Sequence, residues 1–212
     1  MFELSKLDKI ILHFDSGLRT LWGQPLGTTR PDPAQSLEEI ELTSPEQQLS
    51  ARLMRVNHAG EVAAQALYQG QALTARRLDI RNKLQQSALE ENDHLLWCQN
   101  RLRELNNHVS WLNPIWYPGS FMIGAVAGLA GDKWSLGFLA ETERQVVKHL
   151  ENHLERLPAS DHKSRAILKQ MQIDEAHHAV VAIKAGAVAL PKPIRWLMKQ
   201  SAKIMTTTAF WV

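Results

Sequence analysis

The fold is decided by residues 141–178, ETERQVVKHLENHLERLPASDHKSRAILKQMQIDEAHH. Two helical runs meet there at Pro158-Ala159-Ser160, the strongest break in the region. Glu175 and His178 stand three residues apart, so on a helix they share a face and aim at one point. Glu143 lies 32 residues before Glu175. In an antiparallel hairpin, residues equally far from the turn sit at the same height. The midpoint of 143 and 175 is 159, inside the break. The hairpin therefore sets one lone carboxylate level with one Glu-x-x-His pair.

The unit occurs a second time. Glu91-Asn92-Asp93-His94 repeats the tetrad 84 residues upstream, and Glu61 precedes Glu91 by 30 residues. Their midpoint, 76, falls just before Leu78-Asp79, where a capping signal independently places a turn. Two tetrads alone carry little weight: 14 Glu and 9 His in 212 residues give roughly 14 × 9/212, about 0.6 pair, by chance. Taken singly, each of these residues reads as well as part of a solvated helix face. All six in register describe a carboxylate-bridged dimetal centre, with one Glu from each of two helices and one Glu-x-x-His from each of two others. Four carboxylates balance two divalent cations, and two neutral imidazoles complete a mixed O/N shell suited to iron. Zinc would call for fewer carboxylates or some sulfur, and Ca or Mg would not call for paired imidazoles. Asp174, beside Glu175, is placed to hold a ligand imidazole by its other nitrogen. His58, one turn before Glu61, and His149, six residues after Glu143, are either neighbours of the site or ordinary packing histidines. His177 is expected to point away.

Around these hairpins the chain reads as all-α. Long helices are expected over 45–77, 79–107, 133–157 and 160–189, with a shorter one over 193–209. Ser44, Pro45 and Gln47 form a plausible capping box, and Asp79, Asp132 and Ser160 or Asp161 are further N-cap candidates. No run of alternating β-branched residues competes. Leu4, Leu7, Ile11, Phe14, Leu18 and Leu21 mark an N-terminal amphipathic helix ended by Trp22-Gly23-Gln24-Pro25. From Pro25 to about Thr43 the chain, with Gly27, Pro31 and Pro33, reads as an irregular strap. The expected division is a helix-and-strap segment, 1–44, and a main domain, 45–212.

No Asp, Glu, Lys or Arg occurs between Glu104 and Asp132. Phe121 to Ala130 is nearly all apolar but only about half the ~20 residues a membrane span needs, and Pro114, Pro118 and Gly119 break its entry. Trp111, Trp116 and Tyr117 flank it. Segment 111–131 is either a buried connection or a hydrophobic lid dipping into one leaflet. Gly124, Ala127, Gly128 and Gly131 would admit a neighbouring helix closely.

Composition narrows the function. Hydrophobic residues at 44% and charged residues at 22% suit a folded core rather than a disordered tail. A net charge of +2 gives no basic excess for nucleic acid. One cysteine, Cys98, excludes an intrachain disulfide and a four-thiolate metal site. Glu3, Lys6, Asp8 and Lys9 interrupt any signal-peptide core.

Four stretches carry a resemblance: Met54-Arg55-Val56-Asn57-His58-Ala59-Gly60-Glu61, Glu91-Asn92-Asp93-His94-Leu95, Glu141-Thr142-Glu143 and Asp174-Glu175-Ala176-His177-His178. Over about residues 50–212 the chain resembles the demethoxyubiquinone hydroxylases, di-iron monooxygenases of ubiquinone biosynthesis, in their longer bacterial form. The resemblance implies a ferritin-like bundle with two Fe ions per chain, held by Glu61, Glu91, His94, Glu143, Glu175 and His178. Glu141, two residues off on its helix, turns away. It also implies O₂ as co-substrate and a methoxy-benzoquinol ring with a polyprenyl tail. Residence is then expected at the membrane surface, peripherally on the cytoplasmic face of the bacterial inner membrane, with other ubiquinone-biosynthesis proteins as possible partners. Segment 111–131 and the helix bearing Arg195, Trp196, Lys199 and Lys203 would then seat the protein on an anionic leaflet. The tail is expected to pass along Gly124, Ala127 and Gly128. None of the 11 glycines forms Gly-x-Gly-x-x-Gly, so electrons come from a reductase, a reduced quinone, or NADH bound without that fingerprint; the family suggests NADH. The competing readings are Fe(II) oxidation or storage, a manganese catalase, and a metal-free helical module.

Overall fold

Residues 6–24 and 26–212 are described by a computed structural model, without the side chains at positions 6, 7, 9, 10 and 13. Glu3, Leu4, Pro25 and the side chains of Lys6, Leu7 and Lys9 lie outside that description. The described residues form seven helices and no strand: α1 (Lys6–Trp22), α2 (Ser44–Thr74), α3 (Leu78–Glu104), α4 (Asn113–Leu129), α5 (Asp132–Arg156), α6 (His162–Lys184) and α7 (Lys192–Trp211). The all-α expectation holds. Both hairpin turns fall at their expected midpoints, between α2 and α3 and between α5 and α6.

Helix ends shift by a few residues, for identifiable reasons. Thr43, not Ser44, caps α2: its backbone N–H donates to Glu46 Oε2 at 2.9 Å, so the capping box sits one residue earlier than expected. Asp161 caps α6, accepting from the Ser164 N–H at 3.0 Å. Asp132 accepts instead from the Arg76 and Arg77 N–H groups, each at 3.0 Å, and so closes the α2–α3 turn. Gly131, expected at a helix contact, has nothing near its Cβ position; its φ of 106° makes the turn from α4 into α5.

Helices α2, α3, α5 and α6 form the bundle. Its interior is two apolar plugs with a polar layer between them. One plug holds Leu53, Met54, Cys98, Leu102, Leu150, Leu168 and Met171, and the other Tyr68, Leu84, Leu136, Leu139 and Ala182. On all four helices the Glu and His residues of the repeat fall between the two sets. Burial of the plugs fixes the register of the helices, and the register fixes the layer.

Helix α4 corrects three expectations. Pro114 and Pro118 do not break it: Pro114 lies in the first turn, where no N–H is needed, and Pro118 sits inside a helix that continues to Leu129. Segment 111–131 is not a buried connection. Gly124, Gly128 and Tyr117 face inward, while Ile115, Met122, Val126 and Leu129 are exposed. No passage runs along Gly124 and Gly128. A Cβ at Gly124 would strike Leu67 O and one at Gly128 would strike Thr74, so these glycines seal α4 onto α2. Only Trp111 of the three flanking aromatics projects freely; Tyr117 is buried, donating to Gln69 Oε1 at 2.9 Å, and Trp116 packs near Val56 and Ala209.

Candidate metal centre

Glu61 comes from the middle of α2, Glu91 and His94 from α3, Glu143 from α5, and Glu175 and His178 from α6. All six are at most 4% exposed. One ligand atom each from Glu61, Glu91, His94 and Glu175 lies within 4.8 Å of the others. The Nδ1 of His94 is 3.2 Å from Glu91 Oε2, 3.2 Å from Glu175 Oε1 and 3.7 Å from Glu61 Oε2. The Nδ1 of His178 is 3.3 Å from Glu91 Oε1 and 3.2 Å from Glu175 Oε2. Glu91 and Glu175 therefore face both imidazoles. Glu61 sits on the His94 side, and Glu143 accepts from the Tyr68 hydroxyl at 2.7 Å.

The outward nitrogen of each ring is held by a carboxylate from the opposite hairpin. Asp174 Oδ2 lies 2.9 Å from His94 Nε2, as the sequence suggested for Asp174. Glu90 Oε2 lies 2.7 Å from His178 Nε2, and that residue the sequence reading missed. The repeat carried the signal: the residue before each Glu-x-x-His is acidic, Glu90 in one copy and Asp174 in the other. Tyr68 has no counterpart in the second copy and gave no such signal. His177 is exposed, and Glu141 lies off the cluster, bonded to Gln145.

The site-neighbour reading of His58 and His149 is corrected in favour of packing. Three residues before Glu61 rotates His58 by about 60° around α2, toward α4, where Asn113 Nδ2 is 3.4 Å from its Nδ1. Six residues after Glu143 rotates His149 by about 120°, and its ring packs at a tilt against His153, 3.8 Å between ring centres. Burial lowers both rings to a pKa of about 4, so they are neutral packing groups at pH 7.

Charge is the organising problem of the layer. Burial, and then the charge of Glu91, pushes Glu61 well above the usual carboxylate range; burial and Glu175 do the same to Glu143. Burial also opposes the ionised forms of Glu91 and Glu175, yet hydrogen bonds from His178 and His94 hold both below that range. The imidazoles are desolvated too, but hydrogen bonds to Asp174 and Glu175 carry His94 up, and those to Glu175 and Glu90 carry His178 up. These directions favour four protons in the layer, one each on Glu61, Glu143, His94 and His178, which would balance the four carboxylate charges. Two divalent cations supply the same four charges. Glu91 and Glu175 each turn one oxygen toward each Nδ1, so two carboxylates and two imidazoles converge on one space. The donor set therefore fits a metal pair.

A buried layer of four carboxylates and two imidazoles between helical hairpins defines the class, a helical-bundle protein with a carboxylate–histidine cluster able to hold metal. Among solved structures, the bacterioferritin-related thioferritin of Bacteroides fragilis shares this ferritin-like fold. Its TM-score is 0.52 at 19% identity, covering 68% of this chain and 85% of that one. The family model of the ubiquinone biosynthesis protein COQ7 matches residues 48–209. The chain belongs to the COQ7 family. A protein of Nitrosococcus oceani named 3-demethoxyubiquinol 3-hydroxylase is 60% identical over 210 residues, covering 99% of this chain and 98% of its own. Another of that name, from Nitrosomonas eutropha, is 57% identical over 206 residues, covering 97% and 99%.

Proposed function

We propose that this chain is a 3-demethoxyubiquinol 3-hydroxylase holding two iron ions on Glu61, Glu91, His94, Glu143, Glu175 and His178. The observation that carries the reading is the sealed, charge-balanced layer of those six side chains in a chain whose near-full-length relatives bear that name. The chemistry supplied by a bound iron pair is two-electron activation of O₂ for insertion of one oxygen atom into an organic ring. The protein's part is positioning. Asp174 and Glu90 hold His94 and His178 by Nε2, which turns both Nδ1 lone pairs inward. Burial, and then the charge of Glu143, raises the Tyr68 phenol well above its usual pKa, so it stays a neutral donor fixing Glu143. The two apolar plugs keep bulk water from the layer.

The substrate is a methoxy-benzoquinol with a polyprenyl tail. An apolar groove of about 410 Å³ supports the seat for the tail: Met122, Val126 and Ala127 of α4, Trp134 and Phe138 of α5, and Ile194 of α7 line it. Ala127 would thus line the seat of the tail, on a flank of α4 beside the edge that Gly124 and Gly128 press onto α2. Met122 and Val126 of the groove are exposed, as are Trp196, Leu197, Lys192, Arg195, Lys199 and Lys203 of α7. No described helix is long and apolar enough to cross a membrane. The exposed apolar residues and the basic helix support a peripheral seat on anionic lipid, which on this reading is the cytoplasmic face of the inner membrane. The family resemblance supports NADH as the reductant and other ubiquinone-biosynthesis proteins as partners at that surface.

The test is single turnover. Anaerobically reconstituted di-iron protein, mixed with a short-tailed demethoxyquinol and ¹⁸O₂, is expected to give product heavier by one labelled oxygen. Oxidised iron with unchanged quinol would overturn the reading in favour of simple Fe(II) oxidation.

A further inference from the structure

Residues of the strap dock on the outer side of the α3 tetrad. The Leu26 carbonyl accepts from Asn92 Nδ2 at 2.8 Å. A side chain at Gly27 would strike the Asp93 carboxylate, and the Thr28 N–H donates to Asp93 Oδ1 at 2.8 Å. The strap thus delivers Arg30 to the back of the metal layer. Its Nε lies 3.0 Å from Asp93 Oδ2, its Nη1 2.9 Å from Asp174 Oδ2, and its Nη2 3.5 Å from His94 Nε2. The guanidinium also covers the Trp97 ring at 5.0 Å, and that ring packs on His94 at 5.3 Å.

We propose that Arg30 is a positioning residue for the metal layer: by clamping Asp174, it fixes the His94 ring with Nδ1 facing the carboxylates. The inference rests on the metal reading above. Asp174 Oδ2 serves both His94 and Arg30, while Oδ1 accepts from Gln170 at 2.9 Å. Without the guanidinium, a partly exposed carboxylate on the same helix as Gln170 is free to swing toward water. It then no longer dictates which His94 nitrogen carries the proton. A planar, two-pronged donor suits the task, since it must span Asp93 on α3 and Asp174 on α6 at once.

Cobalt(II) binding to the full chain, with its visible bands, tests this without turnover. Arg30→Gln is expected to weaken Co(II) binding about 10-fold and to alter the bands. Asp174→Asn is expected to do at least as much. The double variant is expected to match Asp174→Asn alone, because Arg30 acts through Asp174. Wild-type affinity and bands in Arg30→Gln would overturn the inference, as would losses that multiply in the double variant. If Arg30→Gln fails to fold, Arg30→Lys keeps the charge on the strap but not the two-pronged span, and the same outcomes decide. A wild-type chain that binds no Co(II) would instead overturn the metal reading beneath it.

Discussion

Behind His94 stands Asp174, clamped by Arg30 of the strap and by Gln170 of its own helix; behind His178 stands Glu90, supported by Gln86. The Asp174 side chain is 12% exposed and that of Glu90 29%. The two hairpins place both rings alike, yet a segment outside the bundle covers only one of them. The asymmetry is thus laid over an internal repeat and does not belong to it. It leaves a closed half, on the strap side, and an open half from which solvent or a partner reaches the carboxylate behind the ring.

The largest effect should ignore that difference. Glu91 and Glu175 face both Nδ1 atoms, so removing either opens both halves. Glu175→Ala and Glu91→Ala are each expected to lose both irons, not one, by elemental analysis of purified protein. A Glu175→Ala chain that retains two irons would break the assignment of the site.

Next comes pH. Each half holds two groups whose protonated form is favoured, Glu61 and His94 in one and Glu143 and His178 in the other. All four pKa values are raised, so protons on these groups compete with entering cations. Metal affinity should therefore fall as pH falls. Loading the pair near pH 7 should release up to four protons, read by calorimetry in buffers of different ionisation enthalpy. Release of fewer than two would mean the halves do not share the charge balance described.

How much of this was legible in the chain follows from what each residue answers to. Positions 61, 91, 94, 143, 175 and 178 were readable because helical rise and a fixed turn convert spacing into height. Glu90 was readable in principle from the same repeat. Arg30 was not: it reaches Asp93 and Asp174 from 63 and 144 residues away in sequence, through an irregular strap with no periodicity to project. The glycines of α4 signalled close approach but not its direction. Only the apposed α2 backbone shows that Gly124 and Gly128 seal a contact while Ala127 faces the groove.

The smallest pair of effects measures the asymmetry itself. Asp174→Asn removes a charged acceptor that serves His94 and Arg30 together, so two donors lose their anion inside a largely closed pocket. A 10- to 100-fold loss of metal affinity is expected, by competition with a chelator. Glu90→Gln removes the charge from one imidazole partner only, His178, at a site open enough for water to join it. The loss there should stay below about 10-fold. Equal losses in the two variants would show that the strap adds nothing to the half it covers. A larger loss in Glu90→Gln would invert the comparison and make the exposed carboxylate the stricter of the two.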